Sequence, residues 1–166
     1  YIGFTRSIEN NGYRIVQLSD LHVGTLHGQP QVVRNIVDSV NAQCPDLIVF
    51  TGDLVNYHAE EIYEFEPILR QLKAKDGVIS IMGNHDYAQY FHWESPLDSL
   101  ADIRRLQNRQ RAMNWHLLLN DNHIIRRGND SIAIIGVEND GRPPFPALAD
   151  LPRAQRNLND NCFKIL

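Results

Sequence analysis

The chain has 166 residues, enough to bury one real core, and its 43% hydrophobic, 22% charged composition excludes a disordered or fibrous protein. A formal charge of −4 gives no general attraction for nucleic acid or an anionic membrane, so no specific nucleic-acid binding is expected. Cys44 and Cys162 stand far apart, without CxxC or Cys/His spacing, and supply neither a disulfide framework nor a zinc knot.

No apolar run approaches the ~20 residues of a membrane span, and the first residues do not read as a signal peptide, which leaves the compartment open. The chain opens on "YIGFTRSIEN" without a methionine and stops within the apolar run of "NCFKIL". These ends predict a piece of a longer protein, a single incomplete domain over 1–166. Its open sheet edge and uncovered apolar surface predict self-association.

In chain order, "YRIVQLS" (Tyr13 to Ser19) is rich in β-branched and aliphatic residues and reads as strand one. Val33, Ile36, Val37 and Val40 then recur at three- and four-residue steps, the apolar stripe of a helix. Pro45 closes that unit, and "DLIVFT" (Asp46 to Thr51) reads as strand two. A second helix is expected from Ala59 to Ala74, with Ile62, Phe65, Leu69 and Leu72 inward and Gly77 as its stop. "VISIMG" is strand three. A polar and aromatic loop (Tyr87 to Ser95) leads to a helix around Leu97 to Met113. "LLLN", "HIIRR" and "SIAIIGVEN", separated by turn signals, predict a three-stranded antiparallel meander, followed by the stiff loop "GRPPFP". Apolar strands alternating with helices indicate an α/β fold whose parallel sheet is covered on both faces.

Three strand ends carry the chemistry. Strand one ends in "SDLH", strand two in "TGDLV" and strand three in "GNHD", and Asp20, Asp53 and Asp86 recur at one 33-residue step. Ligands of open parallel sheets bind outside the carboxyl ends of the strands, so Asp20, His22, Asp53, Asn84, His85 and Asp86 are delivered to one edge. Each motif alone has an ordinary reading, as a turn, an Asx-turn or a helix cap. All three in register make a ligand set.

Carboxylate and amide oxygens with imidazole nitrogens suit two divalent ions among Mn, Fe, Zn and Mg, and the lack of cysteine argues against a thiolate site. Asp20 and His22 can grip one ion. Asp53, on the middle segment, can bridge two, and Asn84 offers its oxygen to the second. Two ions ~3.5–4 Å apart are the usual arrangement for hydrolysing phosphate esters. His85 is then placed to meet the substrate and to protonate the leaving oxygen, with Asp86 expected to orient its imidazole.

"SDLH", "GDLV" and "GNHDY", in this order and spacing, resemble the calcineurin-like metallophosphoesterases. The wider text ("IVQLSDLHVG", "PDLIVFTGDLV", "GVISIMGNHDY", "IAIIGVEN") is similar to a bacterial branch whose members are often membrane-associated. The resemblance covers Tyr13 to Leu166. It implies an α/β/β/α sandwich and a dinuclear centre with Asp20, His22, Asp53 and Asn84 as ligands, Asp53 as the bridge and His85 as the substrate-side acid. The family's later lone histidine and Gly-His-x-His motif have no counterpart before Leu166, so the second sheet and the ligand set are expected to be incomplete. None of His27, His58, His92, His116 and His123 has the flanking sequence of those motifs.

The expected function is metal-dependent hydrolysis of a phosphate ester. Monoesters, diesters, nucleotides and lipid-linked pyrophosphates all suit such a centre. The alternative is an inactive binding or regulatory module that keeps the fold. A nucleotide-binding doubly wound domain is disfavoured, because neither GxGxxG nor GxxxxGK[ST] follows strand one. The aromatic segment "YAQYFHW" is expected as a hydrophobic plug or a substrate wall, and Arg142 as a solvent-exposed loop residue.

Overall fold

A computed structural model describes residues 12–128, 130–143, 145–158 and 162–166. The chain divides into two units, Tyr1–Leu117 and Leu118–Leu166.

In the first unit, β1 (Ile15–Leu18), β2 (Leu47–Phe50), β3 (Val78–Ser80) and β4 (Trp115–Leu117) form one sheet in that order. Every pairing is parallel, and the register sets Leu18 beside Phe50 and Phe50 beside Ser80. The carboxyl ends of the first three strands therefore lie side by side. Each step moves to the next strand in the same direction, and right-handed crossovers then put every connecting helix on one face. The side-chain bonds agree. Asn41 in α1 (Pro30–Ala42) donates to the Gln71 carbonyl just after α2 (Glu66–Leu69), and Arg109 in α3 (Pro96–Ala112) donates to Glu66 of α2 at 3.0 Å.

Sequence accounts for most of these elements. Pro30 opens α1, where a missing N–H costs nothing, and Val33, Val37 and Val40 are buried along its inner stripe. Each such burial is worth about 1.5–3 kcal/mol relative to exposure. Ser95 caps α3 by accepting the Asp98 N–H, with Pro96 at its first turn.

The second expected helix is not continuous. Ala59–Ile62 forms a 3₁₀ turn and α2 only one α-helical turn, yet Ile62, Phe65, Leu69 and Leu72 are buried as the pattern required. Pro67 explains the break: it has no N–H for the Tyr63 carbonyl, and its ring crowds that carbonyl.

The expected three-stranded meander is corrected as well. Trp115–Leu117 follows α3 directly and joins the first sheet as β4, parallel to β3. In the second unit, β5 (Asp121–Arg127) and β6 (Asp130–Gly136) form an antiparallel hairpin, and β7 (Phe163–Ile165) pairs parallel to β6. The class is α/β, with a four-stranded parallel sheet and a second, mixed sheet of three strands. Both cysteines are free thiols, and Arg142 is exposed.

Candidate metal centre

Beyond β1 and β2 the chain continues as two loops bonded to each other. The Asp20 N–H donates to the Gly52 carbonyl at 3.0 Å, His22 N–H to the Asp53 carbonyl at 3.1 Å and Val23 N–H to the Leu54 carbonyl at 3.0 Å. This places the "DLH" and "GDL" segments edge to edge. Asp20, His22 and Asp53 all take left-handed backbone angles, with φ of 56°, 43° and 56°. Such a conformation costs a non-glycine residue about 1–2 kcal/mol, and strain of this kind clusters at functional sites.

The third loop closes against the second through two glycines. At Gly52 φ is 97°, and an added Cβ would collide with the backbone nitrogen of Gly83. At Gly83 an added Cβ would collide with the Asp53 carboxylate. No side chain can enter between these loops without separating them.

The side chains converge. The ligand-capable atoms of His22, Asp53 and His85 all lie within 4.8 Å of one another. His22 Nε2 is 3.8 Å from Asp53 Oδ2 and 3.9 Å from Asp20 Oδ1, so Asp20 borders the group at its exposed rim without belonging to it. Ser19 Oγ donates to Asp20 Oδ2 in a short hydrogen bond. The His85 N–H donates to Asp53 Oδ1 at 2.9 Å, leaving Oδ2 on the His22 side. The Asn84 amide N–H donates to the Tyr90 hydroxyl at 2.8 Å.

These residues fit a divalent ion. One carboxylate and two imidazoles share one small, half-buried space, with the exposed Asp20 carboxylate beside His22, and the buried Nδ1 of His22 has no hydrogen-bond partner. Oxygen and imidazole donors without sulfur suit hard-to-borderline metals. Among the described residues, none of the other five histidines belongs to such a group.

Asp86 does not hold His85, contrary to expectation. Its buried carboxylate accepts four backbone N–H groups: Asp53 at 2.9 Å, Leu54 at 2.9 Å, Val55 at 3.2 Å and Gly83 at 3.0 Å. Burial pushes this carboxyl up to about 7, with the Asp53 charge adding to the rise, while the N–H donors of Gly83, Val55 and Leu54 oppose it. The turn at His85–Tyr87 is 3₁₀, and it sends the Asp86 side chain beneath the second loop. The imidazole is held instead by the Asn56 carbonyl, 2.9 Å from His85 Nδ1. That contact puts the proton on Nδ1 and leaves Nε2 for metal or substrate.

Asn56 and Glu61 are the residues that sequence reading missed. Glu61 accepts the Asn56 N–H at 2.6 Å and the Tyr57 N–H at 3.0 Å, fixing the carbonyl that orients His85. The Asn56 side chain accepts the Thr25 N–H at 3.1 Å and ties in the first loop. The only signal was their position just past the second motif. Within the segment Tyr87 to Trp93, Tyr87 is buried, Trp93 donates to the Ala88 carbonyl at 2.7 Å, and Tyr90 stacks on His85.

Comparison with known proteins bears on the same segments. A family model described as calcineurin-like phosphoesterase matches residues 13–158. An uncharacterized metallophosphoesterase of Bacillus subtilis, YkuE, is 35% identical over 85 residues, 48% of this chain and 28% of that protein. A Danio rerio transmembrane protein with a metallophosphoesterase domain is 39% identical over 100 residues, 59% of this chain and 22% of that one. The UDP-2,3-diacylglucosamine pyrophosphatase LpxG of Chlamydia trachomatis is 39% identical over 82 residues, 48% of this chain and 24% of LpxG. The chain thus spans about a quarter of the length of these relatives. Among its described residues no helix is long and apolar enough to cross a membrane. With three motifs converging on one point and a family model matched over 13–158, the chain belongs to the calcineurin-like phosphoesterase family.

Proposed function

We propose that this chain forms the cation-holding part of a metal-dependent phosphohydrolase that cleaves phosphate esters. The observation that carries the reading is the convergence of His22, Asp53 and His85 at the carboxyl ends of three adjacent parallel strands. Asp20, His22, Asp53 and Asn84 would hold two divalent ions among Mn, Fe, Zn and Mg, with Asp53 shared between them. When bound, such ions lower the pKa of water and neutralise phosphoryl charge.

The chain's own groups do the rest. Asp53 is pinned by the His85 N–H, so its free oxygen keeps a constant direction. His85, its Nδ1 proton committed to the Asn56 carbonyl, presents Nε2 to the phosphoryl group and, when protonated there, gives that proton to the leaving oxygen. Asp86 acts through the backbone, as the clamp that keeps the second and third loops together.

Substrate class and membrane association belong to the proposal too. LpxG is, by its name, a UDP-2,3-diacylglucosamine pyrophosphatase, and the Danio rerio relative is named as a transmembrane protein. A phosphate monoester, an aryl phosphate diester and a lipid-linked pyrophosphate are therefore the three substrates to compare.

The test is hydrolysis of these substrates by the 166-residue chain with Mn²⁺ titrated in, beside Asp53→Ala. Turnover that needs the metal and is lost in the variant supports the enzyme. Mn²⁺ binding without hydrolysis of any of the three points to a binding or regulatory module.

A further inference from the structure

Tyr90 touches two residues of the proposed centre in different ways. Its ring lies on the His85 imidazole, with centroids 4.1 Å apart and planes 13° from parallel. Its hydroxyl accepts the Asn84 amide N–H at 2.8 Å. The sequence places it five residues beyond His85, and two features bring it back over the motif. Ala88 takes a left-handed φ of 56° and reverses the chain, and the Trp93 indole N–H anchors the loop to the Ala88 carbonyl.

Each contact removes one freedom that a metallohydrolase has to remove. An asparagine can face a cation with oxygen or with nitrogen, and only oxygen is a ligand. A hydroxyl can give or take a hydrogen bond, and here it takes one from the amide nitrogen, which is the partner that the productive orientation needs. An imidazole bonded only through Nδ1 can still swing about that bond. His85 is held in addition by the Tyr90 ring and by the His22 ring, 4.7 Å away and nearly perpendicular. Tyr90 is nevertheless 40% exposed, so the core does not require its ring there.

We propose that Tyr90 is a positioning residue: its hydroxyl partners the Asn84 amide nitrogen and so supports the orientation that offers oxygen to a divalent cation, and its ring sets the plane in which His85 presents Nε2. This rests on the reading of Asn84 as a ligand. It differs from the usual view of an exposed aromatic beside a site, which would only line the substrate path.

The experiment is Mn²⁺ binding to the whole chain by titration calorimetry, with the unaltered protein, Tyr90→Phe, Asn84→Ala and the double variant. Partners that orient a ligand typically contribute 10–100-fold in metal affinity, so Tyr90→Phe is expected to weaken Mn²⁺ about tenfold with the metal-free melting temperature unchanged. The double variant should bind no more weakly than Asn84→Ala alone, because on this proposal the hydroxyl reaches the cation through that amide. If Tyr90→Phe binds like the unaltered chain while Asn84→Ala is weakened, the ligand reading stands and the role of Tyr90 is overturned. Additive losses also overturn it, since the hydroxyl would then act elsewhere. If Asn84→Ala leaves binding intact, or if the unaltered chain does not bind Mn²⁺, both readings fall.

Discussion

The Asp86 carboxylate accepts the backbone N–H of Asp53 at 2.9 Å, so the last residue of the third motif holds the central residue of the second. With Leu54, Val55 and Gly83 it caps four donors inside the fold, where water cannot replace it.

Asp86→Ala should therefore act first on stability. Leaving a buried donor unsatisfied costs about 1–3 kcal/mol, and four that relax together should cost on the order of 3 kcal/mol or more. Urea unfolding of the metal-free protein reads this directly. A variant that unfolds normally and loses only turnover would instead support a direct role in catalysis.

Gly52→Ala and Gly77→Ala separate backbone strain from collision. Both glycines have positive φ, 97° and 83°, but a Cβ at Gly77 meets nothing within 4 Å whereas one at Gly52 strikes Gly83. Gly77→Ala should lose about 1–2 kcal/mol for the left-handed backbone alone. Gly52→Ala should lose more than 3 kcal/mol, or fail to fold, because two loops must part. Equal melting temperatures for the two variants would contradict the close approach.

Metal should stabilise the folded chain through Asp53. Mn²⁺ at a hundred times its Kd adds about 2.7 kcal/mol, which for a chain of this size is a rise of about 5–10 °C in Tm. Chelation with EDTA should reverse the rise. Asp53→Ala should show none of it, and an unchanged metal response in that variant would remove Asp53 from the ligand set.

Asp102 gives a pH dependence with a definite sign. Its buried carboxylate accepts the Ala59 N–H at 2.8 Å and an Arg105 N–H at 3.1 Å, with the charges of His58 and Glu60 nearby. Burial is the largest influence and raises its pKa, while the Ala59 N–H and Arg105 oppose the rise. A raised folded pKa means the proton is bound more tightly in the folded state. The contribution to stability is complete below the ordinary carboxylate value of about 3.9 and is lost as pH rises through the folded pKa. Urea midpoints measured from pH 4 upward should fall more steeply for the unaltered protein than for Asp102→Asn. Parallel profiles would show that Asp102 titrates as an ordinary carboxylate.

Patterns local to the chain were legible in its residues. The stripe Val33, Val37, Val40 and the apolar strands identified a parallel α/β unit, and the three strand-end motifs identified the family and the edge where the candidate ligands meet. Periodicity and motif spacing report on neighbours within one element, and a parallel sheet turns equal strand ends into spatial neighbours. Where the reading failed locally, at the helix broken before Pro67, the cause was itself in the sequence and was outweighed by a good apolar pattern. β4 was misplaced because a three-residue strand does not encode which sheet it joins.

Only the tertiary structure decided which polar group faces which. Asp86 follows His85 directly, and adjacency suggested a pair, but the 3₁₀ turn separates the two side chains and gives each a partner more than 25 residues away. Asn56, Glu61 and Tyr90 make their contacts across loops, where one backbone angle such as that of Ala88 redirects a whole segment. Sequence determined the inventory of candidate ligands and the edge that carries them. The directions of the side chains depend on backbone torsions and long-range hydrogen bonds, which no spacing rule contains.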